Sequence, residues 1–420
     1  MRITEKPEIN KDVVSMFSDV GKWAKEGIKK KLETQKDKFP TTTLLIILVI
    51  TAGAFYFLYK QMKILETPYN IKTTTKNAID AQVQYGEDNP SRVGIIDYLK
   101  QLKKEGVSDA HLAFTNFYVS TVNASGLFFP AENGVATPEA VRSAVLAGAR
   151  CFVFDIWPDL TPGAQYGPVI QTVENGSLWR RISLNYMPFG VVLKTLIQEA
   201  LEYESRPGFY DPVILYLRFR GKPRMETFNL TAKTLSGILE QYRLSNIYNR
   251  CRNQDNLFSI PITDLFRKVI IASNTKANSS ALADYINIGP KDGVKMEFTV
   301  NEARSLAGEG ANQISIIKQN LAWVCPYSES PNSEKNDWDP QPSYDLGIMF
   351  CAMNFWNRNE RLEAYMAPDM FGRQSFKIKP SKLRYVLDIL PPPLDPPNPG
   401  WKSSPTAGSP NVPPALSIPT

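Results

Sequence analysis

Histidine is almost missing from this chain: there is one, His111, in 420 residues. A pair of imidazoles for acid/base work and an HExxH metal site are therefore excluded. Cysteine is scarce as well. Cys151, Cys251, Cys325 and Cys351 stand far apart with no CxxC, so no Cys/His zinc site of the usual spacing can be built. No GxGxxG or GxxxxGK[ST] run follows a strand-like segment, which removes support for nucleotide-binding folds. A strong charge of either sign is absent too. The net charge is +6, and residues 1–42 hold ten Lys/Arg against seven Asp/Glu, so half the excess lies in the first tenth of the chain. No nucleic-acid partner is expected, because that footprint needs a dense basic face on a folded domain.

What is present begins with a long uncharged run. Residues 39–59, FPTTTLLIILVITAGAFYFLY, contain no charge. Roughly 20 apolar residues rising ~1.5 Å each span a hydrocarbon core. Phe55, Tyr56, Phe57 and Tyr59 sit where an aromatic belt belongs. The run starts too late and is too long for a signal peptide; a buried core helix is the plainer alternative. Ahead of it, over 1–38, Val13, Phe17, Val20, Ile28 and Leu32 recur at helical spacing among many lysines. That is a basic amphipathic juxtamembrane segment, suited either to an anionic bilayer surface or to solvent. Five Lys in 29–38 against Lys60, Lys63 and Lys72 after the span favour a cytosolic N-terminus, with the rest of the chain across the membrane. Asn-X-Ser/Thr sequons at Asn123, Asn175, Asn229 and Asn278 are compatible with that sidedness.

Residues 60–107 read as a linker with lead-in helices, 108–385 as one globular domain and 386–420 as a tail. The last thirty residues contain 11 Pro and cannot form a core element. Inside the globular part, helix-like and strand-like runs alternate. Helices are expected at 137–148, 191–203, 228–242 and 301–307, and strands at 151–156, 212–219, 268–272 and 347–355. Such alternation implies parallel β/α units. With the nucleotide motifs missing, an α/β fold of the TIM-type (β/α)8 barrel kind is preferred to a doubly wound sheet, preceded by a single transmembrane helix.

Seven segments, in order, add a resemblance. They are GARCFVFDIWPD from Gly148, YDPVILYLRF at 210–219, PITDLFRKVIIASN at 261–274, FTVNEARSLAGEG at 298–310, IKQNLAWVCPY at 317–327, YDLGIMFCAMNFWN at 344–357 and FGRQSFKIKPSKLR at 371–384. Together they resemble the catalytic barrel of the eukaryotic phosphoinositide-specific phospholipases C, with an X-like half over 108–274 and a Y-like half over 285–385. The family's flanking modules have no counterpart. The resemblance implies a TIM-type barrel, two catalytic histidines and Ca²⁺ held by Asn, Glu, Asp and Glu.

Carried over residue by residue, that chemistry is largely absent. Matching AFTNFYVST puts Thr115 at the first histidine and Asn116 at the ligand Asn; a shift of three puts Tyr118 at the histidine, and His111 is expected just before the first strand. The second histidine falls near 172–174, where Thr172 and Glu174 stand. The ligand Glu becomes Val153, the ligand Asp is Asp155, and the last Glu becomes Arg218. Period two places Val153 and Asp155 on one strand face, and an Asp155–Arg218 pair would fill the ion's place. Headgroup contacts become Ala272, Asn274, Asn301, Trp323 and Cys325, while Gly148, Arg150, Trp157, Pro212, Pro326, Asn354, Pro380 and Leu383 keep the framework.

These substitutions lead to an expectation of no catalytic residues and no cofactor, with Asn116 and Asp155 the residual metal candidates. The expected role is that of a membrane-anchored pseudoenzyme. It would be a structural or interaction component of a membrane-associated assembly, such as a virion with an internal membrane, partnered by the bilayer and by other proteins. The alternative is a phosphodiesterase or lipid-binding protein of altered chemistry acting on phospholipid headgroups, which alone would call for Ca²⁺.

Overall fold

A computed structural model describes residues 48–58, 92–124, 136–158, 167–171, 186–221, 223–244, 257–290, 294–308, 311–318, 320–326, 338–355 and 359–386. The chain separates into two units, Met1–Thr73 and Thr74–Thr420.

The second unit is a mixed α/β domain built on a curled, largely parallel sheet. Strand β1 (Phe117–Asn123) pairs in parallel with β2 (Cys151–Pro158), which pairs with β5 (Val213–Phe219), which pairs with β6 (Val269–Ser273). On the other side of β1 come β9 (Phe350–Met353), then β8 (Trp323–Val324), then β7 (Glu297–Phe298), all parallel. Beyond β6, a single parallel bridge joins Ala272 to Ile288. Three short strands decorate this series. The β3 (Pro168–Ile170) and β4 (Met187–Pro188) strands extend β2 antiparallel, and β10 (Phe376–Ile378) lies antiparallel on the start of β1.

Each strand is a run of β-branched and aromatic residues, which suit a pleated and buried surface. Alternation along the strands sorts them into two cores. Cys151, Val153, Ile214, Tyr216, Ile270, Trp323 and Phe350 turn inward to a cluster sealed below by helix α1 (Ile95–Lys104) and Phe114. Phe152, Phe154, Leu215, Leu217 and Ile271 turn outward. There they meet α2 (Pro138–Leu146), α3 (Phe189–Ile197) and α4 (Met225–Leu239), with α5 (Val300–Ala307), α6 (Ala311–Lys318), α7 (Gln341–Asp345) and α8 (Glu360–Tyr365) following. Local chemistry sets the helix ends. Pro138 opens α2, where its missing N–H costs nothing. Thr299 and Glu302 close a reciprocal capping box at the start of α5. After α2 the chain reverses at Gly148, whose φ of +95° favours glycine.

The amino ends of the strands are tied by a buried ion pair. Arg150, just before β2, meets Asp211, just before β5, at 3.1 Å, and Asp211 Oδ1 accepts the backbone N–H of Ile95 at 2.8 Å. Lys379 is wholly buried nearby in sequence to β10, and its Nζ donates to the Gly347 carbonyl at 2.6 Å.

The expected helices and strands appear with small shifts. The 191–203 helix starts earlier, at Phe189, and ends in a π-helical turn over Gln198–Glu202. The 347–355 strand contracts to Phe350–Met353. In the first unit, residues 48–58 are helical and exposed. Among the described residues no helix is long and apolar enough to cross a membrane. The remainder of 39–59, the basic segment 1–38, residues 60–91 of the linker and the tail beyond 386 lie outside the described residues.

Candidate functional site

In a parallel barrel-like sheet, chemistry collects at the carboxyl ends of the strands. There β2 presents Asp155 and β5 presents Arg218, opposite each other in register. Arg218 Nε stands 2.7 Å from Asp155 Oδ1, and the two side chains are 1% and 5% exposed. The expected contact is thus present. It is an ion pair by distance, without the N–H direction of a hydrogen bond; Nε and Nη2 of Arg218 have no hydrogen-bond partner among the described residues.

Two further residues complete the group. Arg220, on the chain just past β5, donates from Nε to the same Asp155 oxygen at 3.0 Å. Glu297 at the start of β7 accepts from Arg218 Nη1 at 3.1 Å and from the Tyr216 hydroxyl at 2.5 Å. Two guanidinium and two carboxylate groups balance, as buried charges must. Burial works against the Arg218 cation, but the Asp155 carboxylate, with Glu297 adding to it, outweighs it and holds the guanidinium more firmly protonated than usual. Burial, with Glu297 adding to it, pushes the Tyr216 phenol well up, so it serves as an O–H donor.

Beneath this group the interior is filled by rings. Trp323 stacks on Phe350 at 4.3 Å between centroids and lies 4.7 Å from Tyr216. Val153, Ala272 and Cys325 are buried in the same inner layer. Asn274 serves the backbone: its Oδ1 accepts the Phe219 N–H at 2.8 Å. Asn301 is exposed on α5.

Other predicted positions do not join the group. Thr115 and Asn116 form the turn before β1. Asn123 pairs with Val153, so Asn116 lies some nine strand residues below the level of Asp155, roughly 30 Å away. One ion cannot bridge that distance, which corrects the pairing of Asn116 with Asp155 as metal candidates and removes Thr115 from the mouth. Asn116 is instead a tie: its amide donates to the carbonyls of Tyr385 at 2.7 Å and His111 at 3.1 Å, and its Oδ1 accepts the Tyr385 N–H at 2.6 Å. His111 lies in the turn just ahead of these residues, as expected. Tyr118 faces outward, donating to the Tyr344 carbonyl at 2.6 Å. Thr172 and Glu174 lie outside the described residues. The residues that sequence reading missed are Arg220, Tyr216 and Glu297. A buried Arg218 beside an Arg220 demands a second acid, but nothing local says which one answers.

Calcium takes six to eight oxygen ligands. Here Asp155 is held between two guanidinium groups, and among the described residues no three or more His, Cys, Asp or Glu converge as a metal site. The residues present do not fit the ion that the resemblance implies.

The architecture is thus that of a curled, largely parallel α/β sheet with a charged cluster at the carboxyl ends of its strands. Solved structures of similar shape include the phospholipases C PLC21 of L. pealei and S. officinalis. Their TM-scores are 0.50 and 0.51, each at 14% identity, covering 66% of this chain and 38% of theirs. A calcium-dependent phosphoinositol-specific phospholipase C from Pseudomonas sp. aligns with a TM-score of 0.41 and 11% identity over 64% of this chain and 96% of its own. The likeness to the PLC21 structures is one of fold, and this chain spans well under half of their length. No family model and no curated protein matches the sequence.

Proposed function

We propose that this chain is a membrane-anchored, phospholipase C-like module whose barrel works as a scaffold rather than as a hydrolase. The observation that carries this reading is the Arg218 guanidinium 2.7 Å from Asp155, with Glu297 on its other side, at the place where the resemblance calls for a divalent cation. A fixed cation there leaves no position for Ca²⁺, and it cannot activate a bound hydroxyl as a metal does. The strand ends agree. At the carboxyl end of β1 stand Asn123 and Ala124. Moving the match eight residues on from Thr115 and Asn116 puts these two at the family's histidine and ligand asparagine, and neither is an imidazole or, at 124, an oxygen ligand.

On this reading the sheet is a TIM-type (β/α)8 barrel whose fifth stave has shrunk to the Ile288 bridge. Residues 39–59 form the single membrane span, and the barrel stands across the bilayer from the N-terminus. Its partners are the lipid bilayer and other proteins of a membrane-associated assembly, with a virion enclosing an internal membrane as one setting.

Headgroup binding without cleavage is the second reading. It is favoured by two buried polar atoms at the mouth, Arg218 Nη2 and Asn123 Oδ1, that lack partners among the described residues.

The test is inositol phosphate release from phosphoinositide vesicles by the purified full chain, with and without Ca²⁺. No release above background is expected in either condition. Calcium-dependent release would overturn the scaffold reading. Saturable, calcium-independent vesicle binding that is lost in Arg218→Met would favour the second.

A further inference from the structure

The four sequons are equal in the sequence and unequal in the structure. Asn123 is buried at the end of β1, in register with Val153, where an attached sugar would have to enter the sheet. Asn229 is exposed on α4, but its Oδ1 accepts the Ala281 N–H at 2.9 Å. Asn175 lies outside the described residues.

Asn278 stands apart. It occupies, with Ser279, the tip of a tight turn four to six residues beyond the end of β6. The Ser280 N–H and hydroxyl both donate to the Ala277 carbonyl, at 3.2 and 2.6 Å, and close the turn. Left-handed backbone at Ala277 (φ 47°) and Ser279 (φ 65°) sharpens it on either side. Asn278 is exposed, and its amide makes no hydrogen bond among the described residues. A bulky, hydrated glycan is tolerated where the asparagine projects from a surface turn and carries no ladder or capping bond.

We propose that Asn278 is an N-glycosylation site: as the chain is made, its amide nitrogen takes an oligosaccharide from a lipid-pyrophosphate-linked donor, the C1–Nδ2 bond forming as the C1–O bond to pyrophosphate breaks, with the lipid pyrophosphate leaving and carrying off the amide proton. The proposal rests on the reading that the barrel stands across the membrane from the N-terminus. It has a physical consequence. Because β5 and β6 are parallel neighbours, the turn follows the same end of the sheet that carries Asp155 and Arg218. A hydrated glycan on that rim keeps it in water and opposes docking of the mouth flat on a bilayer.

The experiment is translation of the full chain with microsomes, followed by glycosidase treatment and electrophoresis. A second form carries an added Asn-Gly-Thr acceptor at its C-terminus as a reporter of sidedness. The expected result is a glycosidase-sensitive ladder in which Asn278→Gln removes one step. Asn278 lies in an exposed turn, so its variant keeps the fold; the same circular dichroism as the parent chain checks this. An unchanged ladder in Asn278→Gln, or an unglycosylated parent whose C-terminal reporter is glycosylated, would overturn the proposal while leaving the sidedness standing. An unglycosylated reporter would overturn the sidedness and the proposal together.

Discussion

Replacing Arg218 with methionine tests the energetic core of this reading. Arg218 is 1% exposed, and its removal strands two carboxylates of different exposure. Asp155, 5% exposed, keeps Arg220 at 3.0 Å, and Glu297, 31% exposed, keeps the Tyr216 hydroxyl and can recover water. Taking one partner from a buried ion pair costs about 3–5 kcal/mol, and the surviving Arg220 contact argues for the lower end, about 3 kcal/mol. The double variant Arg218→Met/Asp155→Leu removes both charges. Apolar replacement of a whole buried pair is often neutral or stabilising, and Arg220, at 27% exposure, can turn to solvent. The double variant is therefore expected to recover most of the loss, with a coupling energy of about 2 kcal/mol. Urea unfolding of the full chain in detergent micelles, followed by far-ultraviolet circular dichroism, measures this. With a slope of about 3 kcal/mol per molar for a domain this large, the Arg218→Met midpoint should fall by about 1 M. An unchanged midpoint, or a double variant as unstable as the two single losses summed, would refute the claim that Arg218 and Asp155 form one energetic unit.

Three further outcomes follow from the same geometry. Burial depresses the Lys379 amine from 10.5 to about 7, so between those values the unfolded chain binds a proton that the folded chain does not. Stability therefore rises with pH across about 7 to 10.5, by up to ~1.4 kcal/mol per pH unit, and is lowest below that window. Chemical unfolding at several pH values should show Lys379→Met as the more stable chain at pH 7, with the gap closing by pH 10.5; a pH-independent gap would contradict it. The Cys151 and Cys351 thiols are buried and pushed up to about 12 by desolvation. Both should resist iodoacetamide at pH 8 in the folded chain and react in urea, as peptide mass spectrometry reads out. Thr299→Ala removes one half of the α5 capping box and should cost about 1 kcal/mol in the same unfolding assay; no loss would show that the cap contributes nothing.

Sequence alone determined the alternation of strands and helices, since β-branched runs such as Val213–Phe219 and amphipathic runs such as Met225–Leu239 carry their periods locally. It also determined that Val153 and Asp155 share a face, because side chains alternate strictly along a strand. From the resemblance came the expectation that Arg218 would meet Asp155. Which end of the strand a residue occupies is not local information. Asn116 and Asn123 are both asparagines beside the same apolar run, and only the pairing of Asn123 with Val153 shows that the first sits at the floor and the second at the mouth. Glu297 was illegible for the same reason. It lies 79 residues from Arg218, and the two meet because the curl of the sheet brings β7 across the mouth from β5. The one histidine fits the same division. Its scarcity excluded two-imidazole chemistry from the composition, whereas its position in the turn before β1, far from the charged mouth, came from tertiary structure, where long-range strand pairing sets what each side chain can reach.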